Sequence, residues 1–421
     1  MEEVERKVIK HTRQRSTYFN TGSTLIDELF GGGTDYGIPS GTIVNLCGDF
    51  SSGKTLLACE IIAASYHKYK DKFKWVYDDI ENAMSFNSKK LWNMNIIPEE
   101  TDKNYVLSDT IENLFDNLLT FTEKLKDDEV GIYVIDSLDA LLNDEINEEI
   151  ESRRKMSKKG EVYDKGSYNL KSQKFLSQVF LKKVVSKIVK KNVLVIFISQ
   201  LRANINAGLY GDKFTKSGGT AIDFYCSYIC RLHLKEKFYS KNNLVTGICS
   251  EVKMTKSKTE RPYRSAYFNA SFTYGIDDTS SNVDFLYDLK DKKGKLTNNT
   301  MINVQANVNQ DAQASLLYGK YPNNLAGLKS ILTDENLLDE CKAALKDAKV
   351  TSSKDSITNW ILENYPNILE RYFGKVYERD EYIKLCHKDR AENILLKKRV
   401  IEKWEKIESD ANEYEKQKYE D

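Results

Sequence analysis

Between Thr42 and Ser199 the chain alternates short apolar runs with longer amphipathic ones, and this alternation limits the fold more than any other feature. The apolar runs are TIVNLCG (42–48), KWVYDDI (74–80), GIYVIDS (131–137) and VLVIFIS (193–199). Between them lie TLLACEIIAASYHKY (55–69), IENLFDNLLTFTEKLK (111–126) and QKFLSQVFLKKVVSKIVKK (173–191), which carry helical spacing. Strands without a polar face need cover on both sides. Helices that cross from one strand to the next supply it. The pattern therefore predicts an α/β fold with a mostly parallel central sheet and helices on both faces. Beyond Gln200, SYICRLHLKEK (227–237), GICSEVKMTKSK (247–258) and SAYFNASFTYGI (265–276) read as further strands that extend the same sheet.

The flanks differ in character. Residues 1–18 are polar and form a short arm. The α/β pattern fills 19–297. A polar stretch, 298–313, reads as a linker, and 314–421 as a mainly helical C-terminal domain with Trp360, Tyr365, Tyr372, Phe373 and Trp404 as candidate core aromatics.

Composition excludes several classes. The 63 basic and 63 acidic residues cancel, so any affinity for a polyanion has to be local. Cysteines stand at 47, 59, 226, 230, 249, 341 and 386. Cys226 and Cys230 have no second close pair to complete a zinc site, so reduced, mostly buried thiols in a cytoplasmic protein are the better reading. No apolar run approaches the ~18 residues of a membrane span, and the charged start MEEVERKVIKH lacks a signal core.

The chemistry starts at Gly48-Asp49-Phe50-Ser51-Ser52-Gly53-Lys54-Thr55, which fits G-x-x-x-x-G-K-[ST] between a predicted strand and a predicted helix. Backbone N–H groups of such a turn and the helix N-terminus bind phosphate. Lys54 is placed for the β- and γ-phosphates of ATP, and the Thr55 hydroxyl for Mg²⁺. Asp136 ends a later apolar strand, about eighty residues on, where a carboxylate serves the same magnesium shell. Glu81, in VYDDIEN, is positioned to orient an attacking water. Asp78 and Asp79 compete for that role on spacing alone.

These motifs, in this order, resemble the RecA family of recombinases. The likeness runs from FNTGSTLIDELFGGG through GIPSGTIVNLCGDFSSGKT, DIENAM, VIDSLDAL and FISQLRANI to GGTAIDFYCSYICRL and TKSK, over about residues 19–290, with a leaning toward the phage-encoded, UvsX-like branch. The resemblance implies a DNA-dependent ATPase that forms a helical filament on single-stranded DNA and pairs it with homologous duplex. Single-strand-binding and mediator proteins are candidate partners. It gives Glu81 the catalytic glutamate's place, Gln200 that of the γ-phosphate sensor, and Lys256 and Lys258 that of lysines reaching a neighbour's ATP. Without the resemblance, Lys256 and Lys258 read as an ordinary solvated strand edge. The family's adenine-stacking tyrosine has no clear counterpart after Glu81; Phe86 is the nearest aromatic.

Two segments correspond to the family's DNA-binding loops. The first, 148–167, carries Arg153, Arg154, Lys155, Lys158 and Lys159. The second, 201–220, carries Arg202, Tyr210, Lys213, Phe214, Lys216, Gly218 and Gly219. Glycine freedom, positive charge and aromatics suit a loop that grips phosphates and intrudes between bases. Lys182, on the helix between them, aligns with a DNA-contacting arginine of the family. Two rival functions remain open from sequence: a ring-forming helicase or branch-migration motor of the same superfamily, and a non-hydrolysing recombination mediator.

Overall fold

A computed structural model describes residues 17–31, 37–84, 86–97, 106–137, 181–203, 214–216, 224–259, 261–291, 293–297, 301–304 and 375–411. The first DNA-loop candidate, 148–167, lies outside these residues, as do Tyr210, Gly218, Gly219, Trp360, Tyr365, Tyr372 and Phe373.

The main unit is built on a nine-stranded sheet. Its strands are β3 (Ile43–Gly48), β4 (Phe73–Asp79), β5 (Val130–Asp136), β6 (Val193–Ala203), β7 (Phe214–Lys216), β8 (Tyr228–Tyr239), β9 (Val245–Ser257), β10 (Ser265–Ser271) and β11 (Gly275–Asp277). A two-stranded ribbon of β1 (Tyr18–Phe19) and β2 (Ile38–Pro39) stands apart from it. The order across the sheet is β4-β5-β6-β3-β8-β9-β10-β11, with β7 paired to β6. Strands β4, β5, β6, β3 and β8 are mutually parallel, and β9, β10 and β11 continue antiparallel. The predicted strand at 265–276 is thus two, because the turn at Phe272–Tyr274 folds β11 back on β10.

Helices α1 (Thr24–Phe30), α2 (Lys54–Tyr69), α3 (Ser88–Trp92), α4 (Ile111–Lys124), α5 (Leu181–Lys190) and α6 (Asp278–Leu286) complete this part. On one face Leu114, Phe115 and Leu118 of α4 and Val184 and Ile188 of α5 bury against Tyr133, Val193, Val195 and Phe197. The alternate residues Leu194, Ile196 and Ile198 are equally buried, as the two-residue period of a strand covered on both faces requires. Helix α4 starts where Thr110 accepts a bond from Asn113 N at 3.1 Å, and α6 where Asp277 accepts from Ser280 N at 3.0 Å.

The C-terminal expectation changes. Residues 1–296 and 393–421 form one compact unit and 297–392 a second. In the second unit, 301–304 of the expected linker is not free chain: it is strand β12 (Met301–Val304), paired antiparallel with β13 (Lys375–Glu378), and α7 (Arg379–Lys388) follows. The helical domain expected over 314–421 is cut because α8 (Arg390–Asp410) carries Leu396, Val400 and Trp404 at a four-residue spacing, and these are buried. Trp404 lies 5.8 Å from the Phe285 ring, and Lys403 donates to the carbonyls of Phe285 and Leu286 at the end of α6. Glu408 pairs with Arg261 and Arg264.

The six described cysteines are buried and unbridged. Among the described residues no helix is long and apolar enough to cross a membrane.

Candidate functional site

The carboxyl ends of β3, β4, β5 and β6 open on a cleft of about 260 Å³. Parallel register assembles its floor: Gly48 is level with Gln200, and Asp79 with Asp136. Ligands of open α/β sheets lie outside these strand ends.

The loop from Gly48 to Thr55 forms one wall. Gly48 has no room for a side chain, since a Cβ there would stand 2.4 Å from Leu232 O. Gly53 caps α2 with φ +87°, a left-handed conformation that glycine adopts without strain. No side chain caps the start of α2 and no acidic residue sits in its first turn, so its leading N–H groups remain for an anion. Ser52 Oγ donates to Asp49 O at 2.8 Å and braces the turn. Lys54 Nζ donates to Gly48 O at 3.0 Å and Asp49 O at 2.7 Å. Burial holds its pKa below the usual lysine range, against the opposing pull of Asp136, Asp49 and Glu81. Phe50, on the crest, is 78% exposed.

The opposite wall is acidic. Thr55 Oγ1 donates to Asp136 Oδ2 at 2.9 Å, and Tyr77 OH donates to the same oxygen at 2.6 Å. Burial raises the pKa of Asp136, the hydroxyls of Tyr77 and Thr55 lower it, and the charges of Glu81 and Asp79 raise it. Glu81 N donates to Asp136 O at 3.3 Å, and the Ser137 hydroxyl donates to Glu81 Oε1. Gln200 Nε2 donates to that Glu81 oxygen at 3.3 Å.

The carboxylates that competed with Glu81 are occupied, Asp78 by residues distant in sequence and Asp79 by its own turn. Asp78 is fully buried and accepts from Ser108 N, Ser108 Oγ and Tyr133 OH. Asp79 accepts from Ala83 N at 3.3 Å and Met84 N at 2.9 Å. Glu81 is exposed at the cleft.

The donor set fits a magnesium nucleotide. Among the described residues no three His, Cys, Asp or Glu side chains stand together to hold a metal by themselves. Proteins commonly hold Mg²⁺ through one or two carboxylates together with substrate phosphates, and the Thr55–Asp136 pair beside the start of α2 has the chemistry such a site needs. Phe86, which is 38% exposed, and Met84 line the same cleft and offer apolar surface to a base. Strand periodicity gave no sign of Ser137, Met84 or Ile198 as cleft-lining groups, nor of Tyr77 as the buried hydroxyl behind Asp136; their places follow from how the strands and the turns after them meet.

Lys256 and Lys258 are elsewhere. Strand β9 runs antiparallel to β8, so Gly247 stands near the cleft end of the sheet and Lys256, level with Ile229, at the other end. There Lys256 Nζ donates to Phe224 O at 3.1 Å and Lys258 Nζ to Tyr225 O at 3.4 Å. For the second DNA-loop candidate, 201–220, β6 extends past Gln200 to Ala203 and pairs with β7, so Arg202 is level with Thr215 and Lys216 with Leu201. Ala203 and Phe214 therefore pair in a ribbon that grows out of the cleft floor. Lys182 lies on α5.

The RecA N-terminal domain family model matches residues 6–277, beginning inside the arm expected at 1–18. Protein RecA of Sulfurovum sp. (strain NBC37-1) is 31% identical over 279 residues, spanning 65% of this chain and 72% of that protein. Protein RecA of Campylobacter jejuni subsp. doylei is 31% identical over 278 residues, again 65% and 72%. Protein RecA of Mycoplasma mycoides is 28% identical over 278 residues, 66% and 72%. With a matched domain spanning well over half its length and the phosphate loop, carboxylates and sheet just described lying within it, this chain belongs to the RecA family.

Proposed function

We propose that this ATP-dependent DNA recombinase hydrolyses ATP at the Gly48–Thr55 cleft and couples the state of that site to its grip on single-stranded DNA. Recombination and repair are the work of its family. The proposal adds which residues carry each part.

Lys54, already desolvated and held by two loop carbonyls, exchanges those carbonyls for phosphate oxygens. Thr55 and Asp136 hold Mg²⁺. When bound, the ion polarises phosphoryl oxygens and offsets developing charge. Glu81 orients water at the cleft mouth. Gln200 bonds Glu81 from the strand that leads into the 204–213 segment. The direct Gln200–Glu81 bond carries the reading, because it links the water-orienting carboxylate to the base of the DNA-loop ribbon. Arg153, Arg154, Lys182, Arg202, Tyr210, Lys216, Gly218 and Gly219 are the proposed DNA contacts.

Lys256 and Lys258 lie at the end of the sheet opposite the cleft, which supports a role at a neighbour's nucleotide. Stacking protomers end to end presents them there, and nucleotide binding and filament assembly then become one linked equilibrium.

The test combines two measurements on the full chain. Electron microscopy with a slowly hydrolysed ATP analogue is expected to show open helical filaments on single-stranded DNA, and ATP turnover is expected to rise when that DNA is added. Closed rings would favour the motor reading. Absent stimulation would favour the mediator.

A further inference from the structure

We infer that Tyr77 is a positioning residue of the nucleotide site, holding Asp136 in the orientation that serves Mg²⁺. The inference rests on the proposed function above and names a group that neither the phosphate loop nor its spacing points to.

Asp136 is the last residue of β5 and faces the cleft. A carboxylate at a strand end turns about two side-chain torsions unless something fixes it. Here two hydroxyls end on one oxygen, Oδ2: Thr55 at 2.9 Å from α2 and Tyr77 at 2.6 Å from β4. Thr55 is itself proposed to touch the ion, so on ion binding it cannot serve only as a brace. Tyr77 can. It is 2% exposed, in the middle of a seven-residue strand whose neighbour is β5, so its ring cannot swing. Its hydroxyl is a fixed donor delivered from behind the carboxylate. Partners of this kind orient a metal-binding group without touching the metal.

The plain alternative is that a buried tyrosine hydroxyl takes whatever acceptor lies nearest. The fold supplies an internal control. Tyr133, fully buried on β5, donates to Asp78 Oδ2 at 2.8 Å. That is the same bond between the same two residue types on adjoining strands. Asp78, however, also takes both Ser108 donors and does not line the cleft. Tyr133→Phe therefore removes an equivalent buried bond and leaves Asp136 alone.

The experiment titrates Mg²⁺ into full-length protein with a fluorescent ATP analogue and reads the midpoint for analogue binding. Wild type, Tyr77→Phe, Tyr133→Phe and Asp136→Asn are compared, each with its unfolding midpoint. Tyr77→Phe is expected to raise the Mg²⁺ midpoint about tenfold, the low end of the loss seen when a metal ligand's partner is removed. Binding recovers at saturating Mg²⁺. Tyr133→Phe is expected to lose similar unfolding stability and keep the wild-type Mg²⁺ midpoint. Equal Mg²⁺ midpoints for the two phenylalanine variants, with Asp136→Asn shifted, would overturn the inference alone. An unshifted Asp136→Asn would instead overturn the assignment of Asp136 to the ion. Should Tyr77→Phe fail to fold, Tyr77→Met, which fits within the volume of the tyrosine and has no donor, reads the same midpoint with the same two outcomes.

Discussion

The side-chain amide of Gln200 donates to Glu81 Oε1 at 3.3 Å, joining β6 to the turn that follows β4. The two residues are 119 apart in sequence and meet because β4, β5 and β6 lie side by side in parallel register. Gln200 stands three residues before the described end of β6 at Ala203.

Glu81→Gln is expected to bind ATP normally and hydrolyse it at least about a hundredfold more slowly, the low end for losing a general base. The protein should then dissociate from single-stranded DNA more slowly in ATP than wild type. Single-turnover hydrolysis and DNA off-rates measure both. Normal hydrolysis would move the water-orienting role off Glu81, with Asp79 the next group along the turn.

Lys54→Ala is expected to abolish nucleotide binding by calorimetry and, with it, strand exchange. The lost ammonium is the positive group at the phosphate loop, and its removal also leaves the carbonyls of Gly48 and Asp49 without their donor. Retained affinity within threefold of wild type would contradict the role given to Lys54.

Lys182→Ala is expected to weaken single-stranded DNA binding while ATP binding is kept. Removing one phosphate contact lowers the slope of log affinity against log salt by roughly one unit. Binding isotherms at several salt concentrations decide it, and an unchanged slope takes Lys182 out of the interface.

The pH prediction concerns Asp27, far from the chemistry. Burial lifts its pKa from 3.8 to about 7, against bonds from Asn20 and Thr21 that lower it, and the charge of Asp278 adds to the rise. Between those two values the folded protein holds a proton that the unfolded chain has lost. This group's contribution therefore falls as pH rises from about 4 to about 7, then levels off. Asp27→Asn removes the titration. Wild-type unfolding free energy is expected to fall relative to the variant by up to about 1.4 kcal/mol per pH unit across that window. Parallel urea-denaturation curves from pH 5 to pH 8 would refute it.

The sequence by itself determined the α/β core, the position of the phosphate loop at a strand-to-helix turn, and Asp136 at a later strand end. Those features are local: apolar runs, amphipathic spacing and a glycine-rich octapeptide declare themselves within a few residues. It left Glu81 level with Asp78 and Asp79, because which carboxylate is free depends on partners such as Ser108 and Tyr133, 30 and 55 residues from Asp78. Only the tertiary structure decided that, along with the place of Lys256 and Lys258 at the end of the sheet away from the cleft and the return of α8 to the core. Periodicity states which face of an element is buried. Strand order and register, which arise from long-range pairing, decide which groups then meet.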